Sequence, residues 1–402
     1  MRNTAALEWQ LNYWSAILNK MEILNFMMRK MSIWAVGLSI SVAGAMFGQV
    51  TPDPAAAPAA PPPPKSIFTV GKVDISGSVD GYYTLNFNHP RTGTNGLYNF
   101  NFNADEASLN LAKITFEMAP APVGFRVDIA CCKAMKWIAS TDPAPGAFRY
   151  MEQAYISLKP ASAKGFEVDF GKFVTTAGAE TIETKDNWNY SRSLLFAWAI
   201  PYYHMGVKTS FPVGKKFTGG VLFVNGWNNL WDNNTGKTLG LVGNLTIGKV
   251  AWSNNFYTGP EKNDSNKGYR NLYDSTILVT ANPKTQFYLN FDYAIDRRIG
   301  GGSDKFGGVA GAFRYQASPK FAIASRLEWF KDASGFSTGV PQNAREFTLT
   351  GEHKSTNWLL TRLEYRHDWS DKNYFDRGRG QMVYKNQPTL TLGMIAFFGP
   401  KK

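Results

Sequence analysis

The chain is short of the residues that most enzymes and metalloproteins rely on. It has two cysteines and four histidines in 402 residues. The cysteines, Cys131 and Cys132, are adjacent. They lack metal-ligand spacing. Neighbours on a strand point to opposite faces, so a bridge between them is not expected and they read as small wall residues. They also sit far from the leader, which excludes a lipid-anchoring role. His89, His204, His353 and His367 are scattered, and no HExxH, GxSxG or P-loop pattern occurs. No catalytic residue, metal site or cofactor is expected. The rival from the enzyme class is a membrane hydrolase with a Ser–His pair on its wall, His204 being its candidate.

Long apolar runs are missing too. Beyond the leader no stretch of 18 apolar residues occurs, which excludes an ordinary helical membrane protein. Mean hydropathy is negative, yet aromatics make up 14% and glycines number 37. A β-barrel reconciles these facts, because only every second residue of its strands meets lipid. Acidic charge is also in deficit, with a net charge of +12. Lys164, Lys215, Lys216, Lys249, Lys284, Lys320, Lys354, Lys401 and Lys402 fall in short turns or at the C-terminus. They form either a solvated rim or an anion-attracting vestibule. No basic helix or stacking platform accompanies them, so nucleic acid is not an expected partner.

What is present is an alternation of turns. From about residue 72, strand-like segments of roughly ten residues are joined by long and short connections in rotation. The long ones, rich in Asn, Gly and Asp, are 87–105, 133–149, 174–197, 226–236, 259–269, 296–305, 332–342 and 369–386. The short ones are 119–122, 160–165, 212–216, 248–249, 281–284, 318–320 and 354–356. This asymmetry belongs to an up-and-down barrel with periplasmic turns and longer outer loops. The expected fold is all-β: a closed antiparallel transmembrane barrel of about 16 strands, wide enough for a watery lumen.

Strand patterning agrees. Phe287, Leu289, Phe291 and Tyr293 share one face, opposite Gln286, Tyr288, Asn290 and Asp292. Phe321, Ile323, Leu327 and Trp329 oppose Arg326 and Glu328, and Leu359, Leu363 and Tyr365 oppose Arg362, Glu364 and Arg366. A period of two with charged residues at mid-strand fits a wall with lipid outside and water inside. It would also suit a secreted β-sandwich, the second rival. Parity slips in 107–118, where a bulge is expected.

Four segments divide the chain. Residues 1–27 read as an N-terminal extension, either a start codon set too early or an amphipathic segment with its own role. Residues 28–48 read as a secretory signal peptide: Arg29–Lys30, a short apolar stretch 33–42, then Ala43-Gly44-Ala45. Residues 49–71, with the Pro/Ala tract 52–64, read as a periplasmic linker. Residues 72–402 form the barrel.

The densest motifs run from Gln153 to Thr238. They include Gln153-Ala154-Tyr155, Gly171-Lys172-Phe173, Gly178-x-Glu180 and Asn187-Trp188-Asn189-Tyr190-Ser191-Arg192-Ser193. Pro201-Tyr202-Tyr203-His204-x-Gly206 and Asn225-Gly226-Trp227 follow. In these residues the chain resembles the putative beta-barrel porin-2 (OmpL-like) family of bacterial outer-membrane proteins. The resemblance implies an outer-membrane porin passing small hydrophilic solutes and ions by passive diffusion, or a channel selective for a sugar or anion. It implies outer-membrane lipids and assembly machinery as partners, allows a homotrimer, and carries over no catalytic residue.

Two candidate sites follow. The longest connection, 174–197, reads either as a loop folded into the lumen or as an ordinary outer loop with solvated acids. On the first reading its Glu180, Glu183 and Asp186, with Arg192 nearby, would face Arg126, Arg326, Arg362 and Arg366 across a constriction; opposed charges of this kind sort hydrated solutes. Trp227, Trp231 and Asn225 form a weaker candidate, with stacking and amides suited to a sugar. The neighbouring Asp232, Asn233 and Asn234 suit either calcium or an ordinary turn.

Overall fold

The computed structural model describes residues 68–140, 146–378 and 382–400. The expected N-terminal extension, the leader and the proline tract 52–64 lie outside the described residues.

Sixteen antiparallel strands form one closed wall. They are β1 (Val73–Asn86), β2 (Ala107–Met118), β3 (Val123–Cys131), β4 (Met151–Leu158), β5 (Glu167–Val174) and β6 (Tyr203–Val213). Next come β7 (Phe217–Val224), β8 (Thr238–Ile247), β9 (Val250–Lys262), β10 (Ser265–Asn282) and β11 (Thr285–Arg297). The last five are β12 (Ser303–Ser318), β13 (Phe321–Asp332), β14 (Gln342–Thr356), β15 (Leu359–Ser370) and β16 (Asn386–Phe398). Each strand pairs with its sequence neighbour. The ring shuts where β16 meets β1, with Thr389 opposite Asn86 and Phe398 opposite Gly77. Closure matters because an unpaired strand edge in lipid leaves a row of polar groups, each costing several kcal/mol.

The burial pattern is that of a soluble protein turned inside out. On β13, Leu327 is 64% exposed while its neighbour Arg326 is 1% exposed. Along β11, Phe287, Leu289, Phe291 and Tyr293 are exposed, whereas Tyr288, Asn290 and Asp292 are buried. The amphipathic alternation therefore places apolar side chains outside and polar ones inside, as lipid and water require. The expected bulge is in β2. Asp80 pairs with Leu111 and Gly81 with Leu109, so Asn110 is the extra residue. It turns inward and donates to Asp80 at 2.7 Å.

The connections on one side of the ring are L1 (87–106), L2 (132–150), L3 (175–202), L4 (225–237), L5 (263–264), L6 (298–302), L7 (333–341) and L8 (371–385), and short turns join the strands on the other. One expected long loop is absent. The segment 259–269 is strand almost throughout, with Lys262 facing Ser265 across a two-residue turn. Gly259 pairs with Arg270 in an extended hairpin, and only residues 263–264 form the turn.

Cys131 and Cys132 are free thiols, as expected, but they do not point to opposite faces. The chain leaves the extended conformation at Cys132, whose φ is 84°. That turn brings the two sulfurs to one side, 2.7 Å apart.

Candidate constriction site in the lumen

L3 does not stay outside. It enters the barrel and follows the inner wall from β9 round to β2. At its root, the Thr176 hydroxyl donates to Asn255 at 2.6 Å and bonds the Tyr257 hydroxyl at 2.7 Å. The Gly178 amide donates to Asp274 at 2.9 Å. Farther on, Asn189 donates to Thr350 at 2.8 Å. The amides of Tyr190 and Ser191 both donate to Glu364. The Tyr190 hydroxyl reaches Asp80 at 2.6 Å, and Thr184 donates to the same carboxylate. Glu183 pairs with Lys113 on β2.

Arginines provide most of the remaining seam. Arg326 bonds Glu180 at 2.6 Å and the Ser191 carbonyl at 2.9 Å, while also holding Glu328 and Glu346. Arg362 donates to the carbonyls of Thr184, Asn187 and Asn189 and is held by Glu352. Arg366 donates to the Arg192 carbonyl at 2.7 Å, pairs with Asp368 and lies 4.1 Å from the Tyr98 ring centre. Arg192 folds back on L3, donating to the carbonyls of Thr181, Ile182 and Tyr190. A guanidinium suits this duty because its fixed fork of donors satisfies several carbonyls at once. L3 would otherwise enter the barrel with unmet backbone acceptors, a costly state.

The structure thus joins Glu180, Arg192, Arg326, Arg362 and Arg366 in one buried seam between loop and wall. The acid and the arginines touch there rather than facing each other across water. Glu183 goes to a different partner, Lys113. There burial favours the neutral acid, but Lys113 outweighs it and holds the Glu183 carboxyl below its ordinary range. Asp186 stays exposed beside Lys185, and Arg126 lies apart from L3, bonded to Asp128. Sequence reading missed Lys113 and Asp80, while Glu328 was legible as lumen-facing beside Arg326 but not as an acceptor for L3. Glu364 was legible as lumen-facing from its parity with Arg362 and Arg366, although its role as an acceptor for L3 was not.

The end of L3 is a short helix, α1 (Leu194–Trp198). Ser193 caps it by accepting the Phe196 amide at 3.0 Å, and Glu328 accepts the Leu194 and Leu195 amides. A carboxylate here answers both the free amides and the positive helix end. The helix delivers Leu194, Leu195 and Phe196 to an apolar cluster with Leu97 and Phe100 of L1. A second helix, α2 (Lys133–Ile138) in L2, adds Ala134, Met135 and Ile138. Trp137 donates to the Tyr202 hydroxyl at 2.9 Å and Trp198 to the Leu97 carbonyl at 3.0 Å. The polar L3 seam and this apolar cluster on the long-loop side both pack against the inner wall.

The aromatic candidates separate. Trp227 is turned inward, its amide on Glu261 at 2.8 Å and its ring 4.9 Å from the Arg270 guanidinium. Trp231 is exposed, edge-on to Phe148. Asn225 donates to the Leu230 carbonyl within its own loop. Asn233 and Asn234 donate to neighbouring backbone or amide oxygens, and Asp232 pairs with Lys237. His204 bonds the Gly226 carbonyl at 3.0 Å and stacks on Tyr257.

The recurring motifs have structural work in this arrangement. Asn187–Ser193 seats L3 on the wall. Gly171 and Gly206 face each other across β5 and β6 with φ of 141° and 153°. A Cβ at Gly171 would lie 2.2 Å from the Ala154 carbonyl oxygen, so only glycine fits.

A closed sixteen-stranded barrel, apolar outside and polar inside, with one long loop lining its lumen, has the architecture of a bacterial outer-membrane porin. Residues 72–398 match the family described as putative beta-barrel porin-2, OmpL-like, and the chain belongs to that family. It is an outer-membrane porin. No curated protein sequence matches it. Among solved structures it is similar in fold to OmpT of Vibrio cholerae, with 12% identity and a TM-score of 0.55 over 83% of this chain and 100% of that one. The outer membrane channel DcaP of Acinetobacter baumannii gives 11% identity and 0.56, covering 81% and 97%. An anion-selective porin from Comamonas acidovorans gives 10% identity and 0.55, covering 81% and 99%.

Proposed function

We propose that this porin passes small hydrophilic solutes and ions through a lumen narrowed by L3, with the loop fixed by the Arg326–Glu180 seam. The observation that carries this reading is the course of L3. Its wall contacts run over β9–β15, β1 and β2, so the solute path of this reading follows the inner face of β3–β8. That face presents Arg126 and Lys208, both partly exposed, beside Asp128 and Asp169. Asp186, at 45% side-chain exposure, brings an acid from L3. Such a mixed lining supports diffusion of small polar solutes more than tight selection of one.

Selectivity for anions or a sugar is the second reading. Partly exposed Lys208 and Arg126 favour it for anions. Trp227 supports a sugar less, since its ring is already covered by Arg270. A catalytic role has little support. His204 spends its bond on a backbone carbonyl, and the one Ser–His hydrogen bond among the described residues, Ser355 to His353 at 3.1 Å, lies at the exposed end of β14 without a carboxylate partner. A homotrimer is the expected assembly; a trimer form of the Vibrio OmpT has been solved. Liposome swelling with sugars of graded size tests the main reading. A single size cut-off for all solutes supports diffusion, whereas preference for one chemistry at equal size supports selection.

A further inference from the structure

Cys131 and Cys132 are the only cysteines of the chain, so neither has another intramolecular partner. Both are half-buried free thiols at the rim where β3 gives way to L2. Their sulfurs lie on the same side of the chain, 2.7 Å apart. The backbone is arranged for this approach. Cys132 adopts a φ of 84° and ψ of −153°, a region that side-chain-bearing residues seldom enter and that is retained where the surroundings impose it. Without that turn the two side chains would point to opposite faces.

We propose that Cys131 and Cys132 form a redox site, oxidised to a vicinal disulfide by thiol–disulfide exchange. One thiol loses its proton and attacks a sulfur of an oxidant disulfide, releasing one thiol of that oxidant and forming a mixed disulfide. The second thiol then loses its proton, attacks the protein sulfur and releases the other. The protein gives up two electrons and two protons, an S–S bond forms, and the oxidant disulfide is reduced to two thiols. Disulfide oxidants belong to the periplasm and cell surface, the compartment of this fold. Consecutive Cα atoms are ~3.8 Å apart, below the usual ~4.4–6.8 Å of a disulfide. The ring is therefore strained and readily reduced, which is the character of a responsive bond rather than a permanent staple.

The site has a structural consequence. Cys132 immediately precedes α2, and its carbonyl accepts the Lys136 amide at 3.0 Å. Closing the ring fixes the turn that feeds Met135, Trp137 and Ile138 into the apolar cluster on the long-loop side. Oxidation would hold that cluster in place, and reduction would release its base.

The test uses the full-length protein folded in detergent and incubated with oxidised glutathione. Free thiols are then blocked with N-ethylmaleimide, and the intact mass and the peptide spanning 131–132 are measured. The proposal expects a monomer lighter by two hydrogens, without maleimide adducts, that regains two adducts after dithiothreitol. Cys132→Ser should instead keep a glutathione adduct, since no second thiol remains to expel it. Wild-type protein that still takes two maleimides after oxidation overturns the proposal. So does a bond found between two chains on a non-reducing gel.

Discussion

Arg326 on the inner wall and Glu180 on L3 meet at 2.6 Å, 146 residues apart in sequence. Both are almost fully buried. The wall offers a cation where the loop brings an acid, and this contact with its neighbours keeps a long polar segment inside the barrel. Removing one partner of a buried pair leaves the other charge unmet, at a cost of about 3–5 kcal/mol. Arg326→Met should therefore weaken the attachment of L3 while leaving the closed wall intact. The protein should still show heat-modifiable migration on a gel, but its single-channel conductance should be larger or noisier. Conductance equal to wild type would show that Arg326 does not hold the loop.

Leu363 and Arg362 are neighbours on β15 with opposite duties. Leu363 is exposed outward, whereas Arg362 donates to three L3 carbonyls. Leu363→Arg should cost about 2–4 kcal/mol if it lies near mid-bilayer, seen as a lowered unfolding midpoint. Arg362→Leu should leave that wall folded and alter ion permeation. Equal folding defects in both variants would contradict the assignment of faces.

Glu183 gives a pH dependence. Its carboxyl lies below the ordinary 4.5 because Lys113 outweighs the effect of burial. Stabilisation from this pair is therefore complete above the ordinary carboxylate range and disappears as pH falls through the lowered value. The part of the conductance that depends on this pair should change only below the ordinary glutamate pKa of about 4.3. Glu183→Gln should remove that acid step and give the altered conductance already at neutral pH. An identical acid response in the variant would assign the step to another group.

Phe100 sits in the apolar cluster on the long-loop side, its ring edge-on to Phe196 and 5.4 Å from the Arg192 guanidinium. Phe100→Ala should loosen this cluster, with a packing cost of about 3–5 kcal/mol. The check is a liposome swelling series, in which larger sugars should enter faster than through wild type. Unchanged rates would place the limiting width at the L3 seam alone.

Much of this wall could be read from the chain. Faces such as Phe287, Leu289 and Phe291 against Asn290 and Asp292 are a local property of alternation, so they survive without tertiary knowledge. The entry of L3 into the lumen was one of two readings, drawn from its length and charges. The partners within the seam were less legible, because they depend on which strands come together across the ring. Nothing near Lys113 announces that Glu183, seventy residues later, will pair with it. The bulge at Asn110 resets the inward face just before that lysine. The turn 263–264 was hidden for another reason: the Asn and Gly of 259–269 read as loop, although Asn266 and Gly268 lie within β10 and Gly259 pairs with Arg270. The shared side of the two cysteine sulfurs was not legible, because one positive φ at Cys132 interrupts the strand alternation.

The central claim is a watery lumen narrowed by L3. Planar-bilayer recording of wild type and of a variant lacking residues 181–191 tests it most directly. The account predicts discrete open steps for the wild type and clearly larger steps for the shortened loop. Folded wild-type protein that carries no current, or equal step sizes in the two proteins, would contradict it.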